Sequence, residues 1–202
     1  MNDLASSINV MVDIETFGRR PRGLVVSIGA VAFRTSAVEA PFRPDGEFHA
    51  TISWDAAATE TRFERHPKTM EFWAEQTEAY ERLQSRMKGS TLNMSDLMQQ
   101  FCSWLDPFCT KKATVWGNSP SFDLVIIENA ANEVGVRYPV IHSAENDYRT
   151  LTDLVYGPVN KPRPPPNIAH DALADARFQA EVCNAALLQV ARWRAQASAA
   201  HA

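Results

Sequence analysis

Asn9-Val10-Met11-Val12-Asp13-Ile14-Glu15-Thr16 is an apolar run that ends in two carboxylates. In a β-strand, residues i and i+2 point to one face, so Asp13 and Glu15 look one way while Val12 and Ile14 look the other. Two like charges side by side repel. The pair is tolerable where both reach solvent, or where a divalent cation with oxygen ligands from elsewhere in the chain lies between them. Spacing alone is uninformative, because with 24 acidic residues in the chain an Asp-x-Glu is expected about once by chance. Its position at the end of an apolar strand carries the weight.

Outward from that strand, Thr16 to Gly23 holds Gly18, Pro21, Gly23 and three arginines, Arg19, Arg20 and Arg22, and reads as a turn. Leu24 to Phe33 is a buried strand pairing antiparallel with the first. Pro41 to Gly46 turns the chain into a third strand, Glu47 to Ser53, and completes a meander. Trp54 to Ser90 is a polar embellishment in which Pro67 to Gln76 reads as a short helix with Pro in its first turn. A helix follows from Asn93 or Ser95 to near Pro107, with Ser95 as the expected N-cap. Ala113 to Trp116 is a short strand, and Phe122 to Val134 is a helix closed by Gly135. A short strand and helix are expected around Asp147 to Val155. Lys161-Pro162-Arg163-Pro164-Pro165-Pro166 is a surface loop, read as a stiff connection in preference to a recognition element. From His170 an Ala-rich helix runs to about Ala195, and 196–202 is expected to fray. The pattern predicts one α/β domain over 1–202, with 54–90 as its helical embellishment and helices on both faces of the sheet.

The bulk numbers agree with one domain: 202 residues, 45% hydrophobic, 22% charged. A net charge of −4 is not the footprint of a protein that coats long nucleic acid, but an enzyme holding a few nucleotides needs few phosphate contacts. No signal peptide or membrane span is evident at the N-terminus. Cys102, Cys109 and Cys183 form no C-x-x-C pair, so a reducing, cytoplasmic setting is expected.

Two further acids stand where strand ends and helix starts converge: Asp123, opening a helix, and Asp175, near the start of the last one. Each has a bland alternative as a favourable first-turn charge. His170 precedes Asp175 by the same interval that separates His142 from Asp147, so one pair is a decoy. The second pair is favoured, because His170 stands just before a helix that would fix both residues relative to the sheet.

Asp13-Ile14-Glu15-Thr16, Trp116-Gly117-Asn118-Ser119-Pro120-Ser121-Phe122-Asp123 and His170-Asp171-Ala172-Leu173-Ala174-Asp175-Ala176 together resemble the three motifs of the DEDDh family of 3′→5′ exonucleases. Ser27-Ile28-Gly29-Ala30-Val31 is similar to that family's second strand. Phe72-Trp73 and Tyr148-Arg149-Thr150-Leu151 resemble its ribonuclease T-like and phage-type branch. The resemblance implies a ribonuclease H-like fold, a mixed five-stranded sheet of antiparallel meander plus parallel strands. It also implies hydrolysis of single-stranded DNA or RNA from the 3′ end to nucleoside 5′-monophosphates. Asp13, Glu15 and Asp175 would hold one Mg²⁺ or Mn²⁺, Asp13 would bridge to a second supported by Asp123, and His170, with an unperturbed pKa, would be the general base. For substrate contacts, Thr16 and Phe17 would hold the 3′-terminal nucleotide, Phe17 by stacking, with Asn118, Ser121 and Phe122 beside Asp123; Phe17 and Phe122 fit a core equally well. The arginines at 19, 20 and 22 and the pair Lys161 and Arg163 are candidate phosphate contacts. Relatives in that branch often dimerise, and 54–90 could serve such an interface or merely cap the sheet. The alternatives are a catalytically silent nucleic-acid-binding domain of the same fold and a two-metal phosphohydrolase acting on small nucleotides. Nothing in the residues selects DNA over RNA.

Overall fold

The opening apolar run forms strand β1 (Ile8–Thr16) in a computed structural model of the chain, which describes residues 7–35 and 41–200. β1 pairs antiparallel with β2 (Val25–Arg34), and β2 pairs antiparallel with β3 (Gly46–Thr51), the expected meander. The connection between β2 and β3 ends in the expected 41–46 segment; residues 36–40 lie outside the described part. The embellishment folds as three helices where one was expected: α1 (Trp54–Thr59), α2 (Pro67–Glu75) and α3 (Thr77–Gly89). Next comes α4 (Met94–Leu105). Its N-cap is Asn93, not Ser95, because Asn93 and Asp96 form a reciprocal capping box, the side chain of each accepting from the backbone N–H of the other. β4 (Thr114–Gly117), α5 (Asp123–Glu133), β5 (Glu145–Asp147) and α6 (Tyr148–Tyr156) alternate as expected, and Gly135 takes a left-handed φ of 76° just past α5. α7 (Ala172–Ala200) continues through the stretch expected to fray, while 201–202 lie outside the described residues.

The strand order is β3-β2-β1-β4-β5, with β4 parallel to β1 and β5 parallel to β4. Alternation in β1 divides the core in two. Val10, Val12 and Ile14 pack on one face with Leu97, Met98 and Phe101 of α4 and Ile126 and Ile127 of α5. Met11 packs on the other with Val31, Phe33 and Trp116 of the sheet, Tyr148 of α6, and Ala176, Ala180 and Cys183 of α7. The small side chains of α7 let it lie close to the sheet on the face toward which Asp13 and Glu15 point. α2 and α3 close the end of the sheet. Trp73 Nε1 donates to the Thr16 carbonyl at 2.8 Å, and Ala79, Leu83 and Met87 of α3 are buried at helical spacing. No helix among the described residues is long and apolar enough to cross a membrane.

Candidate active site

The residues that face the two β1 carboxylates across the antiparallel ladder are small: Gly29 opposes Asp13 and Ser27 opposes Glu15. A Cβ on Gly29 would stand 2.1 Å from the Ala172 carbonyl carbon and 2.2 Å from its oxygen, so only glycine admits the first turn of α7 to this part of the sheet. Asp171 caps that turn: its Oδ1 accepts from Ala174 N at 3.1 Å, and its carbonyl accepts from Asp175 N at 2.8 Å. Asp175 is thereby carried to the β1 carboxylates, and ligand oxygens of Asp13, Glu15 and Asp175 lie within 4.8 Å of one another. Asp123 arrives from the adjacent parallel strand. Gly117 ends β4 opposite Val12, and a Cβ there would be 3.2 Å from Asp123 Oδ2, which accepts from Ser119 N at 3.2 Å. Asp123 stands outside the three-carboxylate cluster but lines the same cleft.

Four acids in one partly dry site resist ionisation together. Burial, then the charges of Asp123, Glu15 and Asp175, raises Asp13 well above the usual carboxylate range, partly offset by Gln179, whose Nε2 donates to Asp13 Oδ1 at 2.8 Å. Glu15 is raised well above that range too, by burial and then by Asp175, Asp171 and Asp123. Burial pushes Asp123 up to about 7 and Asp175 up to about 6. A hard divalent cation with oxygen ligands is the partner such a donor set fits. His170 follows the opposite sign. Burial, then the nearby Arg82 guanidinium, lowers it from the ordinary histidine value, which corrects the expectation of an unperturbed imidazole.

The cleft holds about 840 Å³ and is lined by all five expected catalytic positions, Asp13, Glu15, Asp123, His170 and Asp175. Asn118, Ser121 and Phe122 line it as well. Thr16 and Phe17 do not. The Thr16 hydroxyl is buried and donates to the Gly18 carbonyl at 2.9 Å, and Phe17 is 3% exposed with its ring edge-on to Trp73 and Tyr80, so it belongs to the core and is not free to stack on a base. Of the turn arginines, Arg20 reaches the cleft and donates to the Ser121 carbonyl, whereas Arg22 turns to the Arg62 carbonyl and Glu133. Lys161, Pro162, Arg163 and Pro164 form a wall of the cleft, more than the bare connection expected of the proline run. His142 and Asp147 lie outside it, and Asp147 caps α6 by accepting from Thr150 N at 2.9 Å.

Sequence reading missed Gln179, Arg149, Tyr148 and Phe178 as cleft residues. Gln179 carried a usable signal, since it stands one helical turn after Asp175 on the same face. Arg149 carried one too, standing just past the end of a strand parallel to β1.

The model of the family described as the Rv2179c-like 3′-5′ exoribonuclease domain matches residues 8–187. Among solved structures, the chain is similar to the nuclease domain of 3′hExo, a DEDDh family member bound to rAMP, with a TM-score of 0.59 and 10% identity over 90% of this chain and 92% of that one. It is also similar to E. coli exonuclease I in complex with an oligonucleotide, with a TM-score of 0.58 and 15% identity over 92% of this chain. Here the match spans only 41% of the exonuclease I chain. A third similarity, to the RNase domain of the yeast Pop2 protein, has a TM-score of 0.52 and 10% identity over 89% of this chain and 77% of that one. No curated protein matches the chain in sequence. The structural likenesses place the architecture among ribonuclease H-like folds.

Proposed function

Since this chain belongs to the family of the Rv2179c-like 3′-5′ exoribonuclease domain, we propose that it is a 3′→5′ exonuclease, that its substrate is the 3′ end of single-stranded RNA and that it works with two Mg²⁺ or Mn²⁺ ions. The choice of RNA follows the family's description, and the observation that carries the metal-dependent hydrolysis is the meeting of Asp13, Glu15 and Asp175 within 4.8 Å, in a cleft that also holds Asp123 and His170. Asp13, Glu15 and Asp175 would hold one ion, and Asp13 with Asp123 the other. Bound there, divalent cations supply Lewis acidity to the scissile phosphate and lower the pKa of the attacking water.

The chain's own groups do the rest. Gln179 holds one oxygen of Asp13 and so fixes the carboxylate's orientation. His170, kept neutral by burial, has a ring nitrogen free to take the proton from the attacking water. The water oxygen bonds to phosphorus, the P–O3′ bond breaks with its electron pair on the 3′ oxygen, which takes a proton from solvent to leave as a hydroxyl, His170 returns its proton to solvent, and a nucleoside 5′-monophosphate is released. Arg20, Arg149, Lys161 and Arg163 line the cleft beside the acids and match the phosphates of an incoming strand, while the part-exposed rings of Phe122 and Phe178 offer faces for bases.

A panel of single- and double-stranded RNA and DNA of one sequence, each with Mg²⁺ or Mn²⁺, tests the reading. The expected result is the highest kcat/KM on single-stranded RNA and none for Asp13→Ala. Equal or faster turnover of DNA would overturn the RNA assignment, and no cleavage under any metal would overturn the whole.

A further inference from the structure

We propose that the α2–α3 hairpin is a positioning clamp for His170, with Arg82 and Arg86 as its positioning residues. The inference rests on the role given above to His170. Among the described residues His170 is the one non-glycine with a positive φ, 61°, a conformation that an L residue holds only when its surroundings impose it. Its imidazole makes no hydrogen bond to any described residue, so packing and the backbone alone set its direction.

Each residue of this turn is tied down. Arg82 Nη2 donates to the Ala169 carbonyl at 3.1 Å, His170 N donates to Asp175 Oδ2 at 2.8 Å, and Arg86 Nη2 donates to Asp171 Oδ2 at 2.5 Å. The two arginines stand four apart on α3, one turn of one helix face, and so grip the carbonyl before the histidine and the carboxylate after it. From α2, the Phe72 ring meets the imidazole edge-on with centroids 5.0 Å apart, and Trp73 does so at 6.3 Å. The hairpin is itself fixed to the metal strand. Trp73 bonds the Thr16 carbonyl, one residue beyond Glu15, and His66 N donates to the Phe17 carbonyl at 2.9 Å. The same element therefore references the histidine to the end of β1 and so to Asp13 and Glu15. Arg86 also faces His49, Nη1 to Nδ1 at 3.2 Å, which ties the far side of the grip to β3.

A double-mutant cycle tests the clamp. Arg82→Ala is expected to lower kcat on single-stranded RNA on the order of 10- to 100-fold through misplacement of the base, with KM nearly unchanged. Mn²⁺ binding, followed by calorimetry, should be unaltered, and Arg82→Lys, which keeps a donor, should recover much of the loss. In the His170→Ala background, Arg82→Ala should cost nothing further. Phe72→Leu, which removes a partly exposed ring, supplies a second variant should Arg82→Ala fail to fold. Equal losses on both backgrounds, or an Arg82→Ala and Phe72→Leu pair with wild-type kcat, would overturn the clamp. Failure of the underlying reading looks different: His170→Ala itself would then keep its activity.

Discussion

Two histidines in this chain precede an aspartate by five residues, and they have opposite fates. His142 is exposed, and Asp147 spends its carboxylate on capping α6. His170 sits in a left-handed turn at the start of α7, and Asp175 accepts from its backbone while meeting Asp13 and Glu15. Both aspartates lie at helix starts, where a carboxylate is welcome. What separates them is the surface that the helix start abuts. α6 begins beyond the end of an outer strand, whereas α7 begins on Gly29, directly across from Asp13. A spacing becomes a site only where the fold delivers it to the other ligands.

The largest test of this contrast is at the histidines. His170→Ala should lower turnover roughly 100- to 10,000-fold while Mn²⁺ affinity persists, whereas His142→Ala leaves turnover unchanged. Steady-state kinetics with calorimetric metal titration reads both; comparable losses in the two variants would erase the distinction. The next effect is at Gly29. Gly29→Ala forces a methyl into the Ala172 backbone and should cost about 3 kcal/mol of stability. Displacement of Asp175 and His170 should also lower kcat by about 100-fold. Denaturant melts beside kinetics check both, and a fully active Gly29→Ala would mean that α7 is not placed by this contact.

A third test uses the burial of the carboxylates. Asp123, raised to about 7, and Asp175, raised to about 6, bind protons more tightly in the folded protein than in the unfolded chain. Their stabilising contribution is therefore present below about pH 4, near the unfolded carboxylate value, and is lost as pH rises through about 6 to 7. In chelator the Tm should fall between pH 5 and pH 8, and saturating Mg²⁺ or Mn²⁺ should abolish most of the fall. A metal-free Tm that rises over this range would contradict the burial of these two carboxylates. The smallest effect belongs to the decoy pair: Asp147→Ala removes a helix cap and should cost about 1 kcal/mol with activity intact, read by thermal melts and kinetics.

Much of this site was legible because its chemistry is local in sequence. Asp13 and Glu15 end an apolar strand, Asp123 and Asp175 open helices, and strand ends next to helix starts converge in an α/β sheet. The same logic found β1, β2, α2 and α5 close to where they are. It misjudged Ser95, since Asn93 with Asp96 makes the stronger reciprocal cap. It also left open whether Phe17 stacks on substrate, because an aromatic after a metal strand reads the same whether it faces a cleft or a core. The grip of Arg82 and Arg86 on the His170 turn links residues 87 and 85 positions apart, and no periodicity or motif encodes such a pairing. Nor does any local pattern show that Gly29 must be glycine; the reason is a helix that arrives well over a hundred residues later.

The most direct measurement of the central claim is a time course on 5′-labelled single-stranded RNA with Mg²⁺ or Mn²⁺, resolved to single nucleotides, with wild type, Asp13→Ala and a chelator control. The account predicts a ladder shortening one nucleotide at a time from the 3′ end with nucleoside 5′-monophosphates as product, and an intact strand in both controls. Early release of the 5′ label, internal cuts, or a ladder undiminished in Asp13→Ala or in chelator would contradict it.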